Sequence, residues 1–212
     1  ILHSSQYEGG KYCTGCRNVV VVGSNNSAFD IVQDLFEQTN AKITLLQRSP
    51  SMVVSTDSVL RLGLGPLYSE DANHEESDLI TTTVPYKLAM ERWKQVTQLM
   101  QENDKELLDG LTKAGFRLHT GPDGTGIFAK SAAEGGGFYI DVGCAELLID
   151  GHVQVKYANL QLLEDEGIVI EHIDDGRIGR IPCDMLVLAT GYDTMDSWVR
   201  DVCGDKVAEK VG

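Results

Sequence analysis

One stretch constrains the fold of this chain more than any other: Asn18-Val19-Val20-Val21-Val22-Gly23-Ser24-Asn25-Asn26-Ser27-Ala28. Its unbroken run of valines reads as a buried strand. A turn of Gly, Ser and Asn follows at once. Beyond it Ala28, Ile31, Val32, Leu35 and Phe36 recur at helical spacing, with Asp30, Asp34 and Glu37 on the solvated face. Buried strand, tight turn and amphipathic helix open a βαβ unit that binds dinucleotides. The turn leaves backbone N–H groups at a helix N-terminus, where they hold a pyrophosphate. The pattern sought is G-x-G-x-x-G/A, and the chain reads Gly23-Ser24-Asn25-Asn26-Ser27-Ala28. Asn25 stands where a second glycine lets backbone approach phosphate; asparagine's tolerance of left-handed backbone is expected to ease that departure. A strand and helix of any α/β domain would look much the same.

The second strand is expected over 42–47 and ends at Arg48-Ser49-Pro50, where Pro50 stops the ladder. This position selects between nicotinamide cofactors. An acidic residue there suits the ribose hydroxyl of NAD; an arginine suits the 2′-phosphate of NADP. Arg48 lies near the expected offset of ~20 residues. Its guanidinium matches a phosphate with paired hydrogen bonds, and Ser49 stands beside it. The other reading is a surface arginine after a strand.

The remaining chain reads less evenly. Residues 51–85 form a long acidic excursion, a lid or partner surface, in which Leu62-Gly63-Leu64-Gly65-Pro66-Leu67 is too glycine-rich for a stable helix. Residues 86–114 are the longest helical stretch, broken near Asp104 or Gly110, with Leu88, Trp93, Val96, Leu99 and Met100 on its apolar side. Residues 120–137, rich in glycine, read as loop with one short helical turn at most. Strands are expected at 138–142, 153–157, 160–163, 168–171 and 185–189, a short helix at 145–149, and a hairpin turn at Asp174-Asp175-Gly176.

Charge and cysteine content narrow the function classes. A net charge of -14, from 32 acidic and 18 basic residues, argues against nucleic acid or an anionic membrane as a partner. No apolar run approaches the ~18–20 residues of a membrane span. The first residues have neither the basic region nor the apolar core of a signal peptide. A cytoplasmic location is expected. The chain does not start with Met, which suggests a processed product or an internal piece of something longer. Cys13-Thr14-Gly15-Cys16 supplies two of the four ligands of a structural zinc, with no second pair at metal spacing. Two unremarkable thiols are the expectation there. His74, His119, His152 and His172 fall in surface or loop contexts, and no Ser-His-Asp triad or glycosidase carboxylate pair is visible.

Three stretches together resemble the flavin-containing monooxygenase family. His3-Ser4-Ser5-Gln6-Tyr7 is similar to the end of its F-x-G-x-x-x-H-x-x-x-aromatic signature. Val22 to Ala28 is similar to its NADPH-binding G-x-G-N-S-G/A turn. Leu188-Ala189-Thr190-Gly191-Tyr192 is similar to its A-T-G-Y segment, where the nucleotide domain returns the chain to the flavin domain. Arg48-Ser49-Pro50 matches the family habit after the second strand. The excursion at 51–137 resembles a microbial or fungal branch related to YUCCA-like members.

The resemblance implies an α/β fold: a Rossmann-like dinucleotide-binding domain of the two-dinucleotide flavoprotein type, with a helical and loop excursion and a small antiparallel β element. It implies NADPH and FAD as cofactors, a small-molecule substrate, and oxygen insertion through a flavin C4a-hydroperoxide. His3 would be catalytic, near the nicotinamide. Gly23, Ser24, Asn25, Asn26, Ser27, Ala28, Arg48, Ser49, Ala189, Thr190 and Gly191 would bind cofactor. An earlier G-x-G-x-x-G for FAD is absent. The expected division is therefore 1–17 as a flavin-domain junction, 18–183 as the NADPH-binding domain and 184–212 as the return segment, the chain alone being inactive. Apolar residues at the junction, Ile1-Leu2 and Trp198-Val199, would favour a homo-oligomer. The rival expectations are a nucleotide-binding regulatory module that has lost the flavin and, last, a disulfide oxidoreductase using Cys13 and Cys16.

Overall fold

The valine run forms the strand its pattern requires. The computed structural model describes residues 1–65, 67–192 and 196–211. In chain order it contains β1 (Leu2–His3), β2 (Asn18–Val22), α1 (Asn26–Gln38), β3 (Lys42–Gln47) and β4 (Met52–Ser55). Next come α2 (Thr56–Ser58), which runs on as a wider π-helical turn at Val59–Leu64, then α3 (His74–Thr83), α4 (Tyr86–Asn103), α5 (Lys105–Lys113) and α6 (Gly126–Glu134). The last part holds β5 (Phe138–Asp141), α7 (Ala145–Ile149), β6 (Val153–Glu164), β7 (Gly167–His172), β8 (Ile178–Pro182), β9 (Met185–Leu188), α8 (Asp196–Cys203) and α9 (Asp205–Val211).

The main sheet has the order β1-β9-β2-β3-β6-β7-β8. Its first five strands are parallel; β7 and β8 join antiparallel. β2 lies between β9 and β3 with both faces covered, so it needs no polar alternation. On one face Val19, Val21, Ile43 and Leu45 meet Phe29, Val32 and Leu35 of α1. On the other, Val20, Val22 and Leu46 meet Ile168 and Ile170, so the antiparallel meander closes the second face. β6 serves both halves. It pairs with β3 up to Tyr157 and with β7 from Ala158, with a register shift between Leu160 and Leu162. This is a mixed α/β architecture with a mostly parallel sheet and a small antiparallel element.

Several local expectations need correction. Cys13 and Cys16 are joined in a disulfide, because a turn bonding Cys16 N–H to Cys13 O brings their Cα atoms to 5.3 Å. Phe36 of α1 is exposed, and Phe29 takes its place in the core, stacked on Tyr139 at 3.7 Å. Asp34 is no free surface acid: it accepts hydrogen bonds from Tyr7 OH and Gly10 N–H, each at 2.6 Å. The excursion is more regular than its composition suggests. β4 within it pairs in parallel with β5 as a separate two-stranded sheet, and residues 126–134 are the helix α6, not loop. The break in the long helical stretch falls at Asp104, while Gly110 stays within α5. Leu88 and Leu99 are exposed, and Thr97 and Met100 carry the buried face of α4. Pro66 of the glycine-rich stretch lies outside the described residues.

Candidate functional site

The C-terminal ends of β2 and β9 meet at the point where the strand order reverses. From β2 the chain crosses through α1 to β3 on one side, while β9 lies on the other. Ligands of open α/β sheets bind in the crevice at such a switch point. Here it opens into a cleft of about 1090 Å³. Every cofactor residue expected from the sequence lines it, from Gly23 through Ala28, then Arg48 and Ser49, then Ala189 through Gly191.

Gly23 is held on both sides. Its N–H donates to Leu46 O at 3.0 Å, and Ala189 N–H donates to Val22 O at 2.8 Å. Its φ of 134° lies in the region that favours glycine, and an added Cβ would stand 2.2 Å from Ala189 O. Gly23 therefore satisfies the strand-end packing as well as the turn. Asn25, by contrast, is not left-handed: its φ is -117° and it is the N-cap of α1. Its C=O accepts from the N–H groups of Ala28 and Phe29, and its side chain makes no capping bond. Asn25 Oδ1 is buried without a partner. The N–H groups of Asn26 and Ser27 precede the first hydrogen bond of α1, and both residues line the cleft, as a phosphate site requires.

The polar side chains of the cleft divide into two sets. Ser24 Oγ is buried and bonded to Ser51 Oγ at 2.6 Å. Asn26 Oδ1 accepts from Ile140 N–H at 3.0 Å, tying the turn to β5. Both are engaged in holding the wall together. Arg48, Ser27, Ser49 and Thr190 make no side-chain hydrogen bond or ion pair among the described residues. Of these Arg48 is the cation, exposed at the end of β3. Glu134 also lines the cleft, but Lys130 Nζ neutralises it at 2.7 Å.

His3 lies beside the cleft, not in its wall. Ser5 N–H donates to its Nδ1 at 3.2 Å, so Nε2 carries the proton and donates to Gly191 O at 3.1 Å. The ring meets Tyr192 edge-on at 5.3 Å. Nε2 thus fastens β1 to the turn after β9, while Nδ1 is engaged locally by Ser5.

Sequence reasoning missed the wall opposite the turn. Gly135, Gly136 and Gly137, between α6 and β5, line the cleft, as do Asn159 and Gln161 of β6. The glycine run is visible in the sequence, but its approach to the turn depends on β5 pairing with β4.

No family model matches the chain. It is 31% identical over 205 residues to a protein of Arabidopsis thaliana described as probable indole-3-pyruvate monooxygenase YUCCA10, covering 95% of this chain and 44% of that protein. The chain thus spans less than half the length of that relative. Among solved structures, it is similar to cyclohexanone monooxygenase with bound epsilon-caprolactone, at 17% identity and a TM-score of 0.51 over 87% of this chain and 42% of the other. It is also similar to an oxidised steroid monooxygenase bound to NADP, at 16% identity and a TM-score of 0.52 over 85% and 40%. These two share its fold. The sequence match, which runs over nearly the whole chain, makes it a homologue of part of a YUCCA-type flavin monooxygenase, and the two structures add the shared fold.

Proposed function

We propose that the cleft binds NADPH and that the chain is the NADPH-binding part of a flavin-dependent monooxygenase acting on a small-molecule substrate. The observation that carries this reading is the junction of Gly23 with Ala189. Two motifs far apart in sequence meet in the wall of one cleft, so closely that a Cβ at Gly23 would collide with the Ala189 carbonyl. The residues present fit the nucleotide. The first turn of α1 faces the cleft for the pyrophosphate, Arg48 is an uncommitted cation beside Ser49, and the buried Asn25 Oδ1 awaits a donor such as a ribose hydroxyl. NADPH, when bound, supplies a hydride for a flavin. FAD is assigned no residue here.

Each part of the chain then has a distinct task. Gly23 to Ala28 would hold the diphosphate by backbone, with the Ser24 and Asn26 side chains fixing the wall. Arg48 and Ser49 would hold the 2′-phosphate. Ala189, Thr190 and Gly191 would border the nicotinamide, and His3 would position that turn through Gly191. Residues 18–183 would form the nucleotide-binding unit, with 1–17 and 184–212 leading from and to the flavin-binding part, although β1 and β9 belong to the same sheet as β2. Ile1 and Trp198 are exposed, while Leu2 and Val199 are partly covered. The two exposed residues would favour self-association.

Calorimetric titration tests the reading. The chain should bind NADPH more tightly than NADH. Arg48→Ala should cost about 1.5–3 kcal/mol of NADPH binding, as for a hydrogen bond to a charged group, and leave NADH nearly untouched. Equal losses for both nucleotides would sink the assignment.

A further inference from the structure

Three strand ends and the middle of the longer β6 follow one another along the cleft in the order β9, β2, β3, β6. Each contributes wall: Gly191 beyond β9, Gly23 beyond β2, Arg48 beyond β3 and Asn159 on β6. Neighbouring strands stand ~4.8 Å apart, so this row spans roughly 14 Å. On the NADPH reading, on which this inference rests, the ligand is laid across the row. The nicotinamide lies at β9, the diphosphate at β2 and the phosphorylated ribose at β3. The base therefore falls at β6.

The polar side chains around Asn159 on β6 are mostly occupied. Gln161 Nε2 donates to Glu171 Oε2 at 2.5 Å. The Tyr157 ring is covered by the Arg117 guanidinium at 5.5 Å, and Arg117 is itself paired with Asp174 at 2.5 Å. Asn159 differs. Its carboxamide has no hydrogen-bond partner among the described residues, and it lines the cleft between buried Ala158 and partly buried Leu160. Asparagine is disfavoured in strands, and here it makes no structural bond in return.

We infer that Asn159 is a specificity-determining residue that reads the adenine base of the dinucleotide. A carboxamide presents one acceptor and one donor side by side. Adenine presents the complement, its N6 amino group beside a ring nitrogen, and asparagine pairs with that edge through two bonds. Arg48 offers donors alone and cannot make this distinction.

The test uses NADP⁺ and its 1,N6-etheno derivative, in which the added ring removes both N6 hydrogens and blocks N1 while leaving the phosphates and nicotinamide intact. Binding is followed by calorimetry on the whole chain. The unmodified protein should bind NADP⁺ about tenfold more tightly than the etheno form, the scale of one or two neutral hydrogen bonds. Asn159→Leu should weaken NADP⁺ binding by about that factor and barely change etheno binding. Asn159→Thr, which keeps strand propensity, should do the same and guards against a folding defect. Arg48→Ala should weaken both ligands alike. If Arg48→Ala behaves so while the Asn159 variants keep the full preference for NADP⁺, the role of Asn159 is overturned and the NADPH reading stands. If the unmodified chain binds neither ligand, both fall together.

Discussion

Gly23 and Gly191 both adopt positive φ in the cleft wall, yet they should respond differently to a side chain. At Gly191, with φ 83°, an added Cβ meets nothing within 4 Å. Gly191→Ala should therefore carry only the backbone cost, about 1 kcal/mol. At Gly23 the same atom would collide with the Ala189 carbonyl. Gly23→Val must part β2 from β9 or distort the turn. We expect no measurable NADPH binding for it, with part of the helix and strand signal in circular dichroism retained. Normal NADPH binding by that variant would place the phosphates elsewhere. Asn25 shows why residue type alone misleads: the position tolerates a side chain because its backbone is extended at an N-cap, not left-handed.

The break between α4 and α5 illustrates how an element boundary is held. Asp104 is buried and accepts from Ser55 N–H and Oγ, Ser58 Oγ and Asn103 Nδ2, at 2.6 to 3.2 Å. One carboxylate at the α4–α5 junction thus anchors the far end of β4 and the start of α2. Asp104→Ala strands these donors and should cost about 3 kcal/mol in urea unfolding. NADPH affinity of the folded protein should be unchanged, because Asp104 is outside the cleft. A negligible stability loss would mean that the break is set by other contacts. The same excursion builds the cleft wall: β4 aligns β5, and Asn26 of α1 bonds to Ile140 in β5.

Across the molecule, β2 and β9, which are neighbours in the central sheet but far apart in the chain, are clamped at their starts by Asp184. Its Oδ2 accepts from Arg17 N–H and Asn18 N–H, each at 2.8 Å, just before β9 and at the start of β2. These donors, Asn18 foremost, hold the Asp184 carboxyl below the usual aspartate range. A carboxyl whose value is lowered by folding stabilises the fold above its unfolded value and loses that contribution as pH falls through the folded one. Acid unfolding should therefore include a component that starts to fade below about pH 4. Asp184→Asn should remove that component and flatten the acid limb. An identical pH profile for both proteins would show that the clamp contributes nothing. No helix among the described residues is long and apolar enough to cross a membrane.

Much of this was legible in the chain. Strands β2 and β3, helix α1, the short α7 and the turn at Asp174 to Gly176 follow from apolar periodicity and turn chemistry. Those signals act between near neighbours, so they survive in one dimension. The two motifs at Gly23 and Ala189 were also legible, each as a local pattern. Their contact was not, because it is made by strands paired across more than half the chain. Nor could composition separate Ser24 and Asn26, whose side chains hold the wall, from Arg48 and Asn159, whose side chains are free to meet a ligand. Helix α6 escaped because glycine at both its ends gives little propensity, while Ile127 and Ala129 are buried against a neighbour that only folding supplies. Local pattern determined which elements form. The pairing of distant strands decided which polar groups remained unbonded, and with them where a nucleotide could be held.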